Sequence, residues 1–236
     1  MKRRILTISL IVASLVLLVS VGFAGWVITG SMSDTKTGNF DAYAVDNQGQ
    51  IIVSNISGDI KFGAPSSPLY SAIPEDAWFR FDNQVEVQSL SATFTVQLDG
   101  VSSGTFSLTP TSSVALDSKI IAGPTFSATG DATVNGSNQL VFSSEGTATV
   151  TVTYAWGDLF GGVNPYNYFY THRADKSALL TGTDLTNAAA SNLLSGDNSI
   201  SESNNVTYSK LAQLAMQYIY TLADATFTVA IAKVNG

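Results

Sequence analysis

The sequence of 236 residues contains no cysteine and a single histidine, His172. The absence of cysteine excludes disulfide bonds, thiolate metal sites and cysteine nucleophiles. One histidine excludes a His-x-x-x-His zinc pair within the chain. Because a lone histidine without a metal or triad motif is rarely catalytic, we predict that His172 lies in a loop or at a strand end. We therefore predict no enzymatic activity, no cofactor and no metal site.

Charged residues are also scarce, at 12% of the chain, about half of the usual share. Polarity comes instead from Ser, Thr, Asn and Gly, a mixture typical of β-rich extracellular surfaces. The formal net charge is −7, and it becomes −10 when the positive charges of Lys2, Arg3 and Arg4 are removed. Because such an acidic chain repels phosphate groups, we predict that it does not bind nucleic acid.

The first 30 residues have the features of an export signal. Three basic residues precede an apolar run over residues 5–28, which is long enough to span a bilayer as a helix. The basic start predicts that the N-terminus stays in the cytoplasm and that the rest of the chain is exported. Small residues allow signal peptidase to cut after Ala24 or near Gly30, and an uncleaved membrane anchor is the alternative. We predict a secreted, extracellular or cell-surface protein, held in the membrane only through residues 5–28 if they remain.

After residue 30, apolar and polar residues alternate with the period of two that is typical of β-strands. The segment 146–156 shows this best, with Val150, Val152 and Tyr154 on one face and threonines on the other. Turn residues recur every eight to twelve positions, the spacing expected of a sandwich. We predict strands within 40–45, 50–55, 59–63, 77–82, 85–100, 104–109, 131–136, 139–146, 146–156 and 225–234.

The last third of the chain adds helical patterns to this β-rich sequence. Residues 183–196 have an alanine-rich body with a glycine stop, and residues 207–224 place Leu211, Leu214 and Ile219 at helical spacing. The fold class predicted is mainly β: an antiparallel β-sandwich, jelly-roll-like, with two helices before the last strand and an N-terminal hydrophobic helix. Residues 31–236 then form one domain with a helical insertion at about 174–224.

The segment Gly25–Asp46 carries a resemblance to a known family. Asp34-Thr35-Lys36-Thr37 follows Trp26 and the apolar signal, and it leads into Phe40 and the first strand. This order is similar to that of the TasA/camelysin-like exported fibre-forming family, whose relatives include archaeal jelly-roll pilins. The resemblance implies a jelly-roll sandwich that assembles into extracellular fibres or matrix, and the related pilins polymerise by donating an N-terminal strand to the next subunit.

The N-terminal strands are apolar enough to take part in such an assembly. An incoming strand would satisfy the unpaired backbone groups and the apolar groove of a neighbouring sandwich. The candidate subunit contacts in this region are Phe40, Tyr43, Val45, Ile51, Ile52 and Val53. The alternative is that these residues form ordinary first strands of their own domain.

The aromatic stretch Tyr154–Phe169 has three interpretations. Its rings close the open end of their own sandwich, they contact a neighbouring subunit through Trp156, Phe160, Tyr166 and Tyr168, or they stack on sugar rings. Six aromatics exposed on a monomer would promote aggregation, which favours burial by the fold or by a partner.

The sequence therefore predicts an exported structural protein, a homopolymer subunit of a fibre, pilus or biofilm matrix. A cell-surface adhesin that binds glycans through the aromatic stretch is the first alternative. A camelysin-type metalloprotease is the second, and the single histidine counts against it.

Overall fold

The computed structural model of the chain describes residues 38–45, 50–62, 90–191, 205–222 and 224–234. The predicted N-terminal helix and the predicted strand at 77–82 lie outside these residues. None of the helices in the described part of the chain has the length and apolar character needed to cross a bilayer.

The described residues form nine strands. They are β1 Phe40–Val45, β2 Ile51–Ser57, β3 Ser91–Leu98, β4 Gly104–Ser112, β5 Ile121–Gly130, β6 Ala132–Val134, β7 Gln139–Phe142, β8 Gly146–Trp156 and β9 Phe227–Lys233. Eight of them overlap predicted segments, with β2 and β4 extending beyond the predicted ends, and β5 was not predicted. Of the predicted strand at 59–63, the structure describes residues 59–62, and among these only Lys61 is in a β-bridge.

The strands assemble into two sheets. Five strands pair in the order β1-β9-β4-β7-β6, and four pair in the order β2-β3-β8-β5. Six of the seven pairings are antiparallel, and the exception is β1, which runs parallel to β9. The prediction of a mainly β protein with two sheets is confirmed, and the prediction that all strands are antiparallel is wrong at β1.

The core lies between the two sheets and follows from the alternating sequence. In β8 the side chains of Val150, Val152 and Tyr154 are buried, while Thr149 is exposed on the opposite face. The same alternation in β3 buries Phe94, whose ring packs against Phe40 of β1 with 6.1 Å between the ring centres. Each sheet therefore contributes one apolar face to a shared core.

The segment between β8 and β9 is helical. It contains a 3-10 turn at Asp158–Phe160, α1 Pro165–Thr171, α2 Gly182–Ala190 and α3 Tyr208–Thr221. The predicted helices correspond to α2 and α3, whereas the 3-10 turn and α1 were not predicted. The backbone N–H of Lys210 donates to Thr207 Oγ1, which caps the start of α3.

Candidate functional site

Strand β1 forms one edge of the five-stranded sheet, and its two faces differ. Phe40, Ala42 and Ala44 are buried in the core. Tyr43 and Val45 lie on the outer face and are 39% and 40% exposed. Among the predicted contact residues, Phe40 thus fills the core of its own domain, and Tyr43 and Val45 remain accessible.

Strand β2 forms an edge of the four-stranded sheet and contacts β1. Ile51 and Val53 are buried, and Ile52 is 42% exposed on the outer face. The structure therefore brings the six predicted contact residues of β1 and β2 to one side of the sandwich. It leaves three of them exposed, on the outer faces of two different sheets.

Asn39, which sequence reasoning missed, fixes the start of β1. Its Nδ2 donates to the carbonyl oxygens of Ile60 at 2.6 Å and Ala225 at 3.0 Å, and its Oδ1 accepts from the Ile60 N–H at 2.9 Å. Its own N–H donates to Asp59 Oδ1, and its carbonyl accepts from the N–H of Phe227. One side chain thus links the entry of β1 to the segment after β2 and to the segment before β9.

The aromatic stretch closes the sandwich of its own domain. Trp156, Phe160 and Tyr168 are 5%, 0% and 7% exposed, and their rings meet edge to face. The Phe62 ring packs against Trp156 from the other side, with 5.5 Å between the ring centres. The side chain of Tyr166 lies outside the described residues. Three of the four predicted contacts in this stretch are therefore buried within the chain itself.

Glycines make the chain reversal after β8 possible. A Cβ on Gly157 would lie 2.4 Å from the carbonyl oxygen of Lys119, closer than atoms can approach. Gly161 and Gly162 follow with φ of 60° and 74°, in the left-handed region that glycine adopts at little cost. The chain therefore passes directly from the last strand of the four-stranded sheet into the helical segment.

A second polar cluster lies where the three helices meet. Tyr168 and His172 come from α1 and the turn after it, Asp184 from the first turn of α2, and Tyr208 from the start of α3. The Tyr208 hydroxyl donates to Asp184 Oδ2 at 2.5 Å, and His172 Nε2 lies 3.8 Å from the same oxygen. The His172 ring stacks on Tyr208 with 4.4 Å between the ring centres. This cluster joins the helices to one another.

Burial dominates the electrostatics of the phenols in this cluster. It raises the pKa of both Tyr168 and Tyr208, and Asp184 raises each further. Within the described part of the chain the Tyr168 hydroxyl makes no hydrogen bond, so Asp184 acts on its pKa through charge. Burial also raises the pKa of Tyr154 in the core to about 12. All three phenols therefore stay protonated to a higher pH than an ordinary tyrosine does.

We expect the fold to lose stability in alkaline solution. Folding raises the phenol pKa values, so the folded state binds protons that the unfolded state releases above pH ~10. The stabilisation is complete below pH ~10 and decreases as the pH rises towards the folded pKa of Tyr154, about 12. Tyrosinate absorbance at ~295 nm should rise together with the loss of circular dichroism. Ionisation of every tyrosine near pH ~10 with the fold intact would contradict this expectation.

Two kinds of catalytic feature, a metal centre and a nucleophile elbow, can be checked in the described residues. They contain no group of three or more His, Asp or Glu side chains that could hold a metal ion. Residues 100–104 read Gly-Val-Ser-Ser-Gly, the letters of a nucleophile elbow. They join β3 to β4, however, and an elbow requires a strand that turns into a helix. This segment is thus a connection between the two sheets.

Comparisons with known proteins give no relative from which a function can be transferred: no family model, curated protein or solved structure matches the chain.

Proposed function

We propose that the chain is an exported structural protein, a jelly-roll-like sandwich that polymerises into an extracellular fibre, pilus or biofilm matrix by donating its N-terminal strand. The proposal includes export through residues 1–30, processing by signal peptidase and a location outside the cell. The resemblance of Gly25–Asp46 to the TasA/camelysin-like family motivates it.

The position of β1 is the observation that carries the proposal. Among the described strands β1 lies at an edge of its sheet with one face buried, and its strand partner there is β9. Its buried side chains, Phe40, Ala42 and Ala44, are those that a donated strand would insert into a groove. Parallel pairing is slightly weaker per residue than antiparallel pairing, so β1 is held by the less stable type of ladder.

Loss of β1 from its own domain would leave an acceptor site of matching shape. The edge of β9 would expose backbone groups from Phe227 to Ala232, and Phe94 would lose the ring packed against it. A β1 from a neighbouring copy satisfies both, because the donated and the native strand have the same sequence. Exchange of this kind joins different surfaces of successive copies and produces an open filament.

The accessible residues beside β1 are consistent with a contact between subunits. Tyr43 and Val45 project from the outer face of the same strand that carries Phe40 inward. If β1 moved to a neighbour, these two side chains would move with it and would lie on that neighbour's surface.

Electron microscopy of the concentrated purified protein tests the proposal. We expect filaments from the wild-type protein, and none from a variant without residues 38–45. A synthetic peptide of residues 31–46 should bind that variant at one peptide per chain and should shorten wild-type filaments. The same peptide with Phe40→Asp and Ala42→Asp serves as the control and should do neither.

A wild-type protein that remains monomeric at high concentration would contradict the proposal. So would filaments that form equally well without β1, since their assembly would not use strand donation. Binding of the control peptide with the affinity of the native peptide would show that burial of the β1 side chains does not drive the association.

The two alternatives receive no support from the described residues. A sugar platform needs accessible rings, whereas Trp156 and Tyr168 are buried. Tyr170 is accessible, and the Arg173 guanidinium lies over its ring at 4.3 Å from the ring centre. A metalloprotease needs a metal site, and the described residues contain no candidate cluster.

A further inference from the structure

The outer face of the four-stranded sheet carries a regular grid of hydroxyl groups. Three Ser or Thr residues from each of the strands β3, β8 and β5 pair in register on this face. The three rows across the strands are Ser91–Thr153–Thr125, Thr93–Thr151–Ser127 and Thr95–Thr149–Thr129. We call these nine residues the hydroxyl face. Strand β2 extends the grid, since Ser57 pairs with Thr93.

The side chains of the hydroxyl face are ordered and accessible. Ser57 and Thr93 share a hydrogen bond of 2.8 Å between their hydroxyls, and Ser91 and Thr153 share one of 3.0 Å. Every member of the face is exposed or half-exposed. Neighbouring strands are ~4.8 Å apart and alternate residues ~6.7 Å apart along a strand, so the hydroxyls form a two-dimensional lattice.

The hydroxyl face carries no charge on a chain whose formal net charge is −7. Designed soluble surfaces aim for charged side chains at about 25–35% of their positions, in part to prevent association. None of the nine positions has a charged residue, so no charge within this face repels a similar surface.

We infer that the hydroxyl face binds the same face of a second copy, so that neighbouring fibres stack laterally through it. This inference rests on the proposed function, because fibres supply the repeated contacts. The acidic subunits repel one another elsewhere, and a neutral face is where two copies approach without that repulsion. In the contact, the Thr hydroxyls replace hydrogen bonds to water with hydrogen bonds across the interface, direct or through water, and the Thr methyl groups pack against one another.

The size of the face fits an interaction that needs repetition. The three strands and three rows of the face, with the spacings above, cover roughly 300 Å² per copy, or roughly 600 Å² for a pair. That area is smaller than a specific interface between two proteins buries. A single pair is therefore weak, but subunits repeated along two fibres make many such contacts at once.

Charge-swap variants at Thr151, the centre of the grid, test the inference. Thr151→Glu and Thr151→Lys place like charges opposite each other in every stacked pair, so each protein alone should form single filaments with roughly tenfold fewer bundles than wild type. Mixing the two proteins places opposite charges across the contact and should restore bundling. Thr109→Glu, on the outer face of the other sheet, is the matched control and should bundle as wild type does.

The outcomes separate this inference from the proposed function. Wild-type filaments that never bundle, or either Thr151 variant bundling as wild type does, would overturn the inference alone. Failure of the mixture to restore bundling would overturn it too. If the wild-type protein forms no filaments, the proposed function fails. Sedimentation equilibrium of the soluble protein then tests the face: the Glu and Lys variants should associate when mixed and not alone.

Discussion

Replacing Phe160 with alanine is expected to lower the free energy of unfolding by about 3–5 kcal/mol. The Phe160 ring is fully buried, and the rings of Trp156, Tyr168 and Phe169 surround it with centre-to-centre distances of 5.8 to 5.9 Å. Alanine leaves a cavity at the junction of β8, the 3-10 turn and α1. Trp156 is held by β8, and Tyr168 and Phe169 are held by α1, so the three rings cannot all move inward to fill it.

Urea unfolding followed by tryptophan fluorescence measures this change. Tyr170→Ala is the matched control, because it removes a ring of similar size from the same stretch at a position that is 47% exposed. The free energy of unfolding of the Tyr170→Ala variant should fall by less than about 1 kcal/mol, mostly because the contact with Arg173 is lost. Equal losses of unfolding free energy in the two variants would mean that Phe160 is not part of the core and that the aromatic stretch does not close the sandwich.

Period-two alternation predicted most strands because each sheet has one buried and one solvated face. In β8 the pattern continues over eleven residues, from Gly146 to Trp156, and the buried and accessible sides follow it. The partners of a strand are not encoded in this pattern. The parallel pairing of β1 with β9 joins residues nearly 190 positions apart in the sequence, so it depends on the whole fold.

Strand β5 was missed because Gly123 and Pro124 interrupt its pattern near the start. The structure accommodates both with a shift in register between Ala122 and Thr125. Proline lacks the N–H that a ladder needs, and edge positions and bulges are where sheets tolerate it. β5 is an edge strand with such a bulge, so both conditions are met.

Glycine and proline in the aromatic stretch are typical of a chain reversal, but they do not define its form. Gly161 and Gly162 adopt positive φ angles. Pro165 begins α1, since the first turn of a helix tolerates proline. A helix of seven residues is too short to show amphipathic periodicity, which is why α1 had no signal of its own.

The candidate site was predictable only in part. Apolar composition indicated β1 and β2, but it could not separate the buried Phe40 from the accessible Tyr43. The role of Asn39 could not be predicted from local sequence patterns, because its hydrogen bond to Ala225 joins residues 186 positions apart. The hydroxyl face was visible as alternating threonines in β8, whereas the grid depends on the register with β3 and β5.

Replacing Asn39 with alanine is expected to lower the free energy of unfolding by about 3 kcal/mol. Three side-chain hydrogen bonds of about 1 kcal/mol each are lost, and the Ile60 and Ala225 backbone groups are left without them. Asn39→Asp should lose at least as much, because it keeps the acceptor for the Ile60 N–H but places a carboxylate oxygen against the Ile60 and Ala225 carbonyl oxygens. Asn187→Ala, which removes one exposed bond to the Asp158 carbonyl, should cost less than about 1 kcal/mol.

Amide hydrogen exchange shows where the Asn39 change acts. Asn39 holds the entry of β1, so its loss should release β1 locally before the rest of the sheet opens. The amides that pair β1 with β9 should then exchange at least roughly tenfold faster than global unfolding explains, while those between β3 and β8 follow the global change. If the proposed strand donation is correct, the same variant should also polymerise faster, since release of β1 precedes its donation. A uniform increase across all strands would mean that Asn39 stabilises the whole sandwich and does not control β1.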